Sequence, residues 1–131
     1  MTDADTINDL SERFGKAITG ADMNALDALL SPDFTIWYNF SDETLSREQA
    51  MAFFTKYFSE VSVRFSNIKR VPTSEGWLQQ HRIDADGPDG FKVCNMPACL
   101  VFTVDNGKIS SAAEYFDSAQ TVGFDQSQMT A

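Results

Sequence analysis

The chain has 131 residues, of which 43% are apolar and 12% aromatic, and 19 acidic against 10 basic side chains give a net charge of −9. This length fits one domain over residues 1–131, and the apolar content argues against intrinsic disorder. The acidic excess disfavours binding to nucleic acid, because phosphates repel negative charge. No segment reaches the about 18 consecutive apolar residues of a membrane span, and residues 1–5 lack a secretory signal, so we expect a cytoplasmic protein without a membrane partner.

The two cysteines, Cys94 and Cys99, form neither a CxxC pair nor a cluster with histidine. This spacing predicts neither a disulfide framework nor a zinc site. A glycine-rich phosphate loop is also missing from the sequence, so we expect an activity that needs no metal and no other cofactor.

Three helices are predicted in the first half of the chain. Apolar residues at helical spacing predict the first helix over residues 7–18. Asp22 is suited to cap a second helix, which ends before Pro32. Ser46 and Gln49 match a capping box and predict a third helix, whose aromatic stripe serves both the core and a pocket.

Short alternating or apolar segments predict strands, most of them in the second half. They cover residues 35–40, 61–66, 77–84, 91–104 and 109–117. The resulting order ααβαββββ indicates an α+β fold, a cone-shaped α+β barrel in which a curved mixed or antiparallel sheet wraps three N-terminal helices. Such a sheet leaves a conical cavity, which the many Phe residues would line for a small apolar or aromatic molecule.

His81 is the only histidine, so its imidazole alone has an ordinary pKa near neutral pH. Strand alternation places His81 on one face with Trp77, Gln79 and Ile83, and we expect this face to line the cavity. We therefore consider His81 a candidate acid or base. The alternative is a hydrogen-bonded structural histidine.

Glu114 and Asp117 are candidate carboxylate partners for this imidazole. Their separation is odd, so only one of them faces the pocket in a regular strand. Either could orient His81 and form an acid–base pair suited to proton abstraction, dehydration or carbon–carbon cleavage. The alternative is an ordinary edge carboxylate or a salt bridge with Arg82.

Trp37, Tyr38 and Asn39 stand on the first predicted strand, where Tyr38 faces away from the other two. The Tyr38 hydroxyl is suited to donate to a substrate oxygen, and the Asn39 amide to position water or a carbonyl. Trp37 is expected to pack in the core or to shape the pocket.

Several motifs together carry a resemblance. They are Pro32-Asp33-Phe34 before Trp37-Tyr38-Asn39, Gln79-Gln80-His81, the turn Gly107-Lys108-Ile109, and Glu114-Tyr115-Phe116-Asp117. In these motifs the chain resembles the SnoaL-like proteins of the nuclear transport factor 2-like superfamily, over nearly its whole length. The resemblance implies the fold and a homodimer through the exposed sheet face, but this scaffold hosts isomerases, dehydratases, cyclases, epoxide hydrolases and pure binding modules.

Ketosteroid isomerase belongs to this superfamily and uses a carboxylate base with a Tyr and a protonated Asp as oxyanion donors. At the matching positions this chain has Tyr38, Phe14 and Cys99, so the resemblance does not imply that activity. The residues that we expect to bind the substrate are Phe14, Trp37, Asn39, Phe54, Phe58, Gln79, Cys99 and Tyr115.

Limonene epoxide hydrolase is a second relative within the resemblance. Arg82-Ile83-Asp84 resembles its Arg-x-Asp, and Glu114 replaces one of its Asp residues, while His81 stands where that family usually has Glu. The function implied first is cofactor-independent acid–base chemistry of isomerase, lyase or dehydratase type, on a small apolar, aromatic or polyketide-like molecule. The alternatives are an epoxide hydrolase using Arg82, Asp84 and Glu114, or a non-catalytic ligand-binding or dimerisation module.

Overall fold

The computed structural model describes residues 3–121, which form three helices and six strands. Their bounds are α1 Ala4–Thr19, α2 Met23–Leu29, β1 Leu30–Tyr38, β2 Glu43–Ser46, α3 Arg47–Glu60, β3 Ser62–Pro72, β4 Gly76–Asp86, β5 Lys92–Asp105 and β6 Lys108–Phe116. Short 3-10 turns follow β4 and β6 at Pro88–Gly90 and Ser118–Thr121. The expected α+β arrangement of three helices and one sheet is confirmed. No helix in this part of the chain is long and apolar enough to cross a membrane.

The six strands form one mixed sheet in the order β2-β1-β6-β5-β4-β3. β1 pairs with β6 in parallel, and the other neighbours are antiparallel. β6, the last strand of the described residues, therefore lies in the middle of the sheet. Its residue Glu114 stands between Tyr38 of β1 and Leu100 of β5.

The helix starts follow the predicted capping signals. The backbone N–H of Ala25 donates to the Asp22 carboxylate at 3.1 Å, as an N-cap requires. The capping box at Ser46 and Gln49 has both of its hydrogen bonds, at 3.2 and 3.0 Å. Arg47 then ties α3 to α2, because its guanidinium donates to the Asp27 carboxylate at 2.8 Å. These contacts fix the helix that covers β1 and β2.

The structure extends the predicted sheet at both edges. β2 was not predicted, because it has four residues and only Leu45 is buried, which gives no periodic pattern to detect. β1 begins at Leu30 rather than at residue 35, with an irregular register before Thr35. β3 continues to Pro72 through mostly exposed residues in which apolar and polar side chains do not alternate.

The core lies between the helices and one face of the sheet, which we call the inner face. Trp77 of β4 stacks on Phe102 of β5 with 4.1 Å between ring centroids. Phe14 of α1 meets the same Phe102 edge-on at 5.1 Å. β4 approaches β5 closely at Gly76, where a Cβ atom would lie 2.1 Å from the carbonyl oxygen of Phe102. Only glycine fits there.

The opposite face, which we call the outer face, carries large apolar side chains in the open. Val71, Val101 and Tyr115 are 50%, 38% and 46% exposed. Val101 is the register partner of Ala113 on β6 and of Leu78 on β4. An apolar row thus runs across the middle of the sheet without cover from the described residues.

Candidate active site

A cavity of about 100 Å³ lies between the inner face and the helices. Phe14, Phe54 and Phe58, which the sequence analysis expected here, lie in its wall. The lining is apolar apart from Tyr38, Tyr57 and Glu114. Its volume is below the about 150 Å³ of an apolar cavity that holds benzene. The cavity is therefore suited to a small, mostly apolar molecule that can reach the three polar side chains of the wall, Tyr38, Tyr57 and Glu114.

Glu114 is the only carboxylate among the described lining residues. The odd spacing of Glu114 and Asp117 along the strand does not decide which of them faces the pocket. In the structure Glu114 lines the cavity, together with Phe116. Burial raises the pKa of the Glu114 carboxyl from 4.5 to about 7. Loss of hydration is the cause, since no basic side chain of the described wall offsets the charge. A carboxyl in this state can both accept and donate a proton near neutral pH.

Two tyrosine hydroxyls share the cavity with this carboxyl. Tyr38 is the register partner of Glu114, is buried, and packs against Phe53 and Phe116. Burial, and then the nearby Glu114, raise the pKa of Tyr38 well above its ordinary range. The same two causes raise the pKa of Tyr57 to about 12. Both hydroxyls therefore stay protonated at neutral pH and are able to donate hydrogen bonds.

His81 lies on the inner face as predicted and is 3% exposed, but it is not among the cavity-lining residues. Its Nδ1 is 2.9 Å from Nε2 of Gln79. Burial lowers the pKa of His81 to about 4. The structure does not bring His81 together with Glu114, because Glu114 lines the cavity and His81 does not. Asp117 lines a wider groove together with His81, but the hydrogen bond of its carboxylate is to the backbone of Ala119. The side-chain partner of His81 is the Gln79 amide instead of a carboxylate.

Trp37 and Asn39, the other candidates on the first predicted strand, form hydrogen bonds to nearby residues outside the cavity. The indole N–H of Trp37 donates to the Asp42 carboxylate at 2.9 Å, and its ring packs on Tyr115. The Asn39 amide donates to the carbonyl of Phe116 at 3.1 Å and accepts from its backbone N–H at 3.2 Å. Neither Trp37 nor Asn39 lines the apolar cavity, because both face away from Tyr38.

Asp117, Tyr115 and Cys99 lie apart from Glu114 as well. They line a wider groove of about 700 Å³ across β4, β5 and β6, together with Asn39 and His81. The Asp117 carboxylate accepts a hydrogen bond from the backbone N–H of Ala119 at 3.0 Å and begins the final 3-10 turn. Cys99 is half-buried and is a free thiol.

Arg82 and Asp84 both bind the backbone of Asn95. The Arg82 guanidinium donates to the Asn95 carbonyl at 3.2 Å, and the Asn95 N–H donates to the Asp84 carboxylate at 3.1 Å. Asn95 has a left-handed backbone with φ 49°, which these bonds hold in place. Neither side chain lines the cavity, so the structure does not bring them together with Glu114.

Tyr57 is the polar group that the sequence analysis did not single out. Tyr57 belongs to the aromatic stripe of α3, and its ring packs on Phe53 and Phe58. The signal available was its spacing of four residues from Phe53, which puts both on one helix face. Glu114 on the sheet is what turns this position into part of a polar cluster.

Similar folds occur among solved structures. An epoxide hydrolase of M. tuberculosis, described as LEH-like, is 19% identical with a TM-score of 0.75, covering 91% of this chain and 88% of its own. A proposed polyketide cyclase of Pseudomonas putida KT2440 is 21% identical with a TM-score of 0.77, covering 89% and 96%. A Catenulispora acidiphila protein with a ketosteroid isomerase-like fold is 18% identical with a TM-score of 0.72, covering 87% and 89%. At these identities the likeness shows the fold.

No curated protein matches the chain. Within residues 3–121, no group of three His, Cys, Asp or Glu side chains is placed to hold a metal ion. The profile of the SnoaL-like domain matches residues 11–112, which is most of the chain and confirms the resemblance seen in its motifs. The protein therefore belongs to the SnoaL-like domain family.

Proposed function

We propose that this protein is an enzyme that uses Glu114 as a general acid and base on a small, mostly apolar molecule. The observation that carries the proposal is a single carboxyl in an otherwise aromatic and aliphatic cavity, with its pKa raised to about 7. Enzymes tune carboxyl groups in this way when the reaction needs proton transfer near neutral pH. The similar structures that are named as enzymes support an enzymatic function. The residues that line the cavity support the role of Glu114 as acid and base.

The cluster suggests how a proton would move. In its ionised form Glu114 removes a proton from a carbon next to a carbonyl, and in its protonated form it returns that proton to another atom. Tyr38 and Tyr57 remain neutral and donate hydrogen bonds to the oxygen on which negative charge develops. Isomerisation, dehydration and aldol-type ring closure all consist of such steps.

The cavity also limits the substrate. With about 100 Å³ available, the buried part of the molecule is no larger than a five-membered ring. A larger substrate would keep its remaining part outside, or the aromatic wall would have to open. We therefore propose a small cyclic or branched ketone or enone as the reacting part.

The test is exchange of hydrogen for deuterium at the α-carbon of cyclopentanone, followed by NMR in heavy water. This reaction reports proton abstraction without knowledge of the natural product. We expect Glu114→Gln to lower the enzyme-dependent rate by about 100-fold or more. Glu43→Gln is the matched control, because Glu43 is exposed on β2, and its rate should equal that of the wild type.

Two further results complete this test. The wild-type rate should rise with pH through about 7, as Glu114 ionises. Tyr57→Phe should slow exchange by less than Glu114→Gln, since it removes one donor and leaves the base. Exchange that persists in Glu114→Gln would contradict the proposal. Binding of the ketone without any exchange would favour a ligand-binding module instead.

A further inference from the structure

The cavity combines a single carboxylate with a wall of aromatic rings. Glu114 is the only charged side chain among its described lining residues. The aromatic lining residues are Phe14, Phe34, Tyr38, Phe53, Phe54, Tyr57, Phe58, Phe65 and Phe116. No Lys, Arg or His side chain of the described residues lines this cavity. The ionised form of Glu114 therefore has no cation of the protein beside it.

The Glu114 carboxyl is open to a ligand in the cavity. The residue is half-buried and lines the cavity. No residue among 3–121 donates a hydrogen bond to its carboxylate oxygens, and neither oxygen is closed off from solvent. Buried charges in proteins are normally paired and hydrogen-bonded. The chain thus holds a carboxylate in an apolar place without supplying its partner.

The rings nearest Glu114 surround it from different elements. Tyr38 of β1 is its register partner, and Phe116 lies two positions along β6 on the same face. The Tyr38 ring meets those of Phe53 and Phe116 at 81° and 83°, with centroids 6.2 and 6.5 Å apart. Rings that meet at such angles enclose a space instead of forming one flat layer. Ring faces carry partial negative charge, and cages of aromatic rings bind alkylammonium ions.

The other elements around the cavity bring no competing charge. β1 contributes Tyr38 and α3 contributes Tyr57, whose raised pKa values keep both hydroxyls neutral. Their oxygens can also accept a hydrogen bond from an ammonium N–H. The described lining residues of α1, β3, β4 and β5 are apolar. Glu114 alone therefore sets the charge of this site and its dependence on pH.

The energy balance favours a cation at this place. An ammonium ion loses hydration when it enters an apolar cavity, and this cost limits buried ion pairs. Folding has already taken Glu114 largely out of bulk water, so binding mainly adds the dehydration of the cation. The opposite charge and the ring faces together offset that dehydration. The net charge of −9 also raises the concentration of cations around the protein.

We propose that this cavity binds a small secondary or tertiary alkylammonium ion, with Glu114 as its counter-ion and the aromatic wall around its carbon atoms. This ligand class goes beyond the proposed function, because it needs Glu114 as a fixed negative charge and not as a group that transfers a proton. The cation and the ketone would exclude each other, since both occupy the same small volume. The size limit makes pyrrolidinium, a five-membered ring with its charge on nitrogen, a suitable probe.

The test compares pyrrolidinium with tetrahydrofuran, which has the same ring size and an uncharged oxygen in place of the NH₂⁺ group. NMR titrations in about 0.1 M salt screen the attraction of distant surface charges. At about pH 8 we expect pyrrolidinium to bind the wild type at least about tenfold more tightly than tetrahydrofuran. Its binding should tighten about tenfold from about pH 6 to about pH 8, as Glu114 ionises.

Three substitutions separate the charge of the cavity from its shape. Glu114→Gln keeps the size of the side chain and should weaken pyrrolidinium binding about tenfold or more, while tetrahydrofuran binding changes by less than about twofold. Glu43→Gln removes an exposed negative charge on β2 and should leave both affinities unchanged. Phe116→Leu keeps an apolar side chain without a ring face and should weaken pyrrolidinium binding about threefold.

Equal affinities of the wild type for the two probes would overturn the proposal, and so would an equal loss of both in Glu114→Gln. Pyrrolidinium binding that Glu43→Gln weakens as much as Glu114→Gln would do the same, because it would reflect net charge alone. If Glu114→Gln does not fold, the wild-type pH dependence and Phe116→Leu carry the test, and constant affinity in both refutes the proposal. These readings are affinities, so tight pyrrolidinium binding without ketone exchange would refute only the proposed function.

Discussion

Replacing Glu114 by Gln removes an ionisable group from the apolar cavity while keeping its size and shape. The folded protein raises the pKa of this carboxyl from 4.5 to about 7, so it retains a proton that the unfolded chain releases in this range. The stabilising effect of the bound proton is complete below pH 4.5 and is lost as the pH rises through about 7. At about 1.4 kcal/mol per pH unit, the free energy of unfolding of the wild type loses about 3 kcal/mol from this group.

Urea unfolding at about pH 4.5 and about pH 8 measures this loss. The amide of Glu114→Gln resembles the protonated acid and has no such dependence, so its stability relative to the wild type should increase by about 3 kcal/mol between the two pH values. Glu43→Gln, at the exposed edge strand, should keep a constant difference from the wild type. A difference for Glu114→Gln that also stays constant would show a hydrated carboxyl in the folded protein. The reasoning behind its role as acid and base would then be refuted.

Three further predictions concern packing and assembly. Gly76→Ala should lower the free energy of unfolding by about 3 kcal/mol, because the new Cβ collides with the Phe102 backbone. Gly107→Ala, at a positive φ in open space, should lower it by only about 1 kcal/mol. Equal losses of stability in urea unfolding would contradict this prediction. We expect the outer face to pair with a second copy of the chain, so light scattering should give a dimer for the wild type and a monomer for Val101→Glu, and equal masses would refute that interface. Leu100→Ala should lower the free energy of unfolding by about 3 kcal/mol and enlarge the cavity. In NMR titrations this variant should bind cyclohexanone more tightly than cyclopentanone. A preference unchanged from the wild type would contradict the size limit of the cavity.

Local signals in the sequence were sufficient to predict where the helices lie and which residues of the longest strands are buried. A capping box states where a helix begins through two hydrogen bonds that span three residues, and the one at Ser46 is present. Alternation in β4 likewise predicted that Gln79 and His81 turn inward, and both are buried. These features depend on neighbours a few positions away, which the sequence displays directly.

The site itself depends on contacts between distant segments. Parity along β6 showed that one of Glu114 and Asp117 faces inward, but the parallel pairing with β1 decides what surrounds it. That pairing joins residues more than 70 positions apart, such as Tyr38 and Glu114, and no local pattern reveals it. The contact between Gln79 and His81 was easier to predict from the sequence, because residues two apart in a strand lie side by side on one face.

The central place of β6 has a consequence for folding. Until Lys108–Phe116 inserts, β1 and β5 each present an unpaired edge, and the sheet remains two separate parts. Insertion joins segments far apart along the chain, which is a slow kind of step because a long loop must close first. The same insertion delivers Glu114 to the cavity. During synthesis on the ribosome, the Glu114 carboxyl and the continuous sheet would therefore reach their places together, after residue Phe116 has emerged.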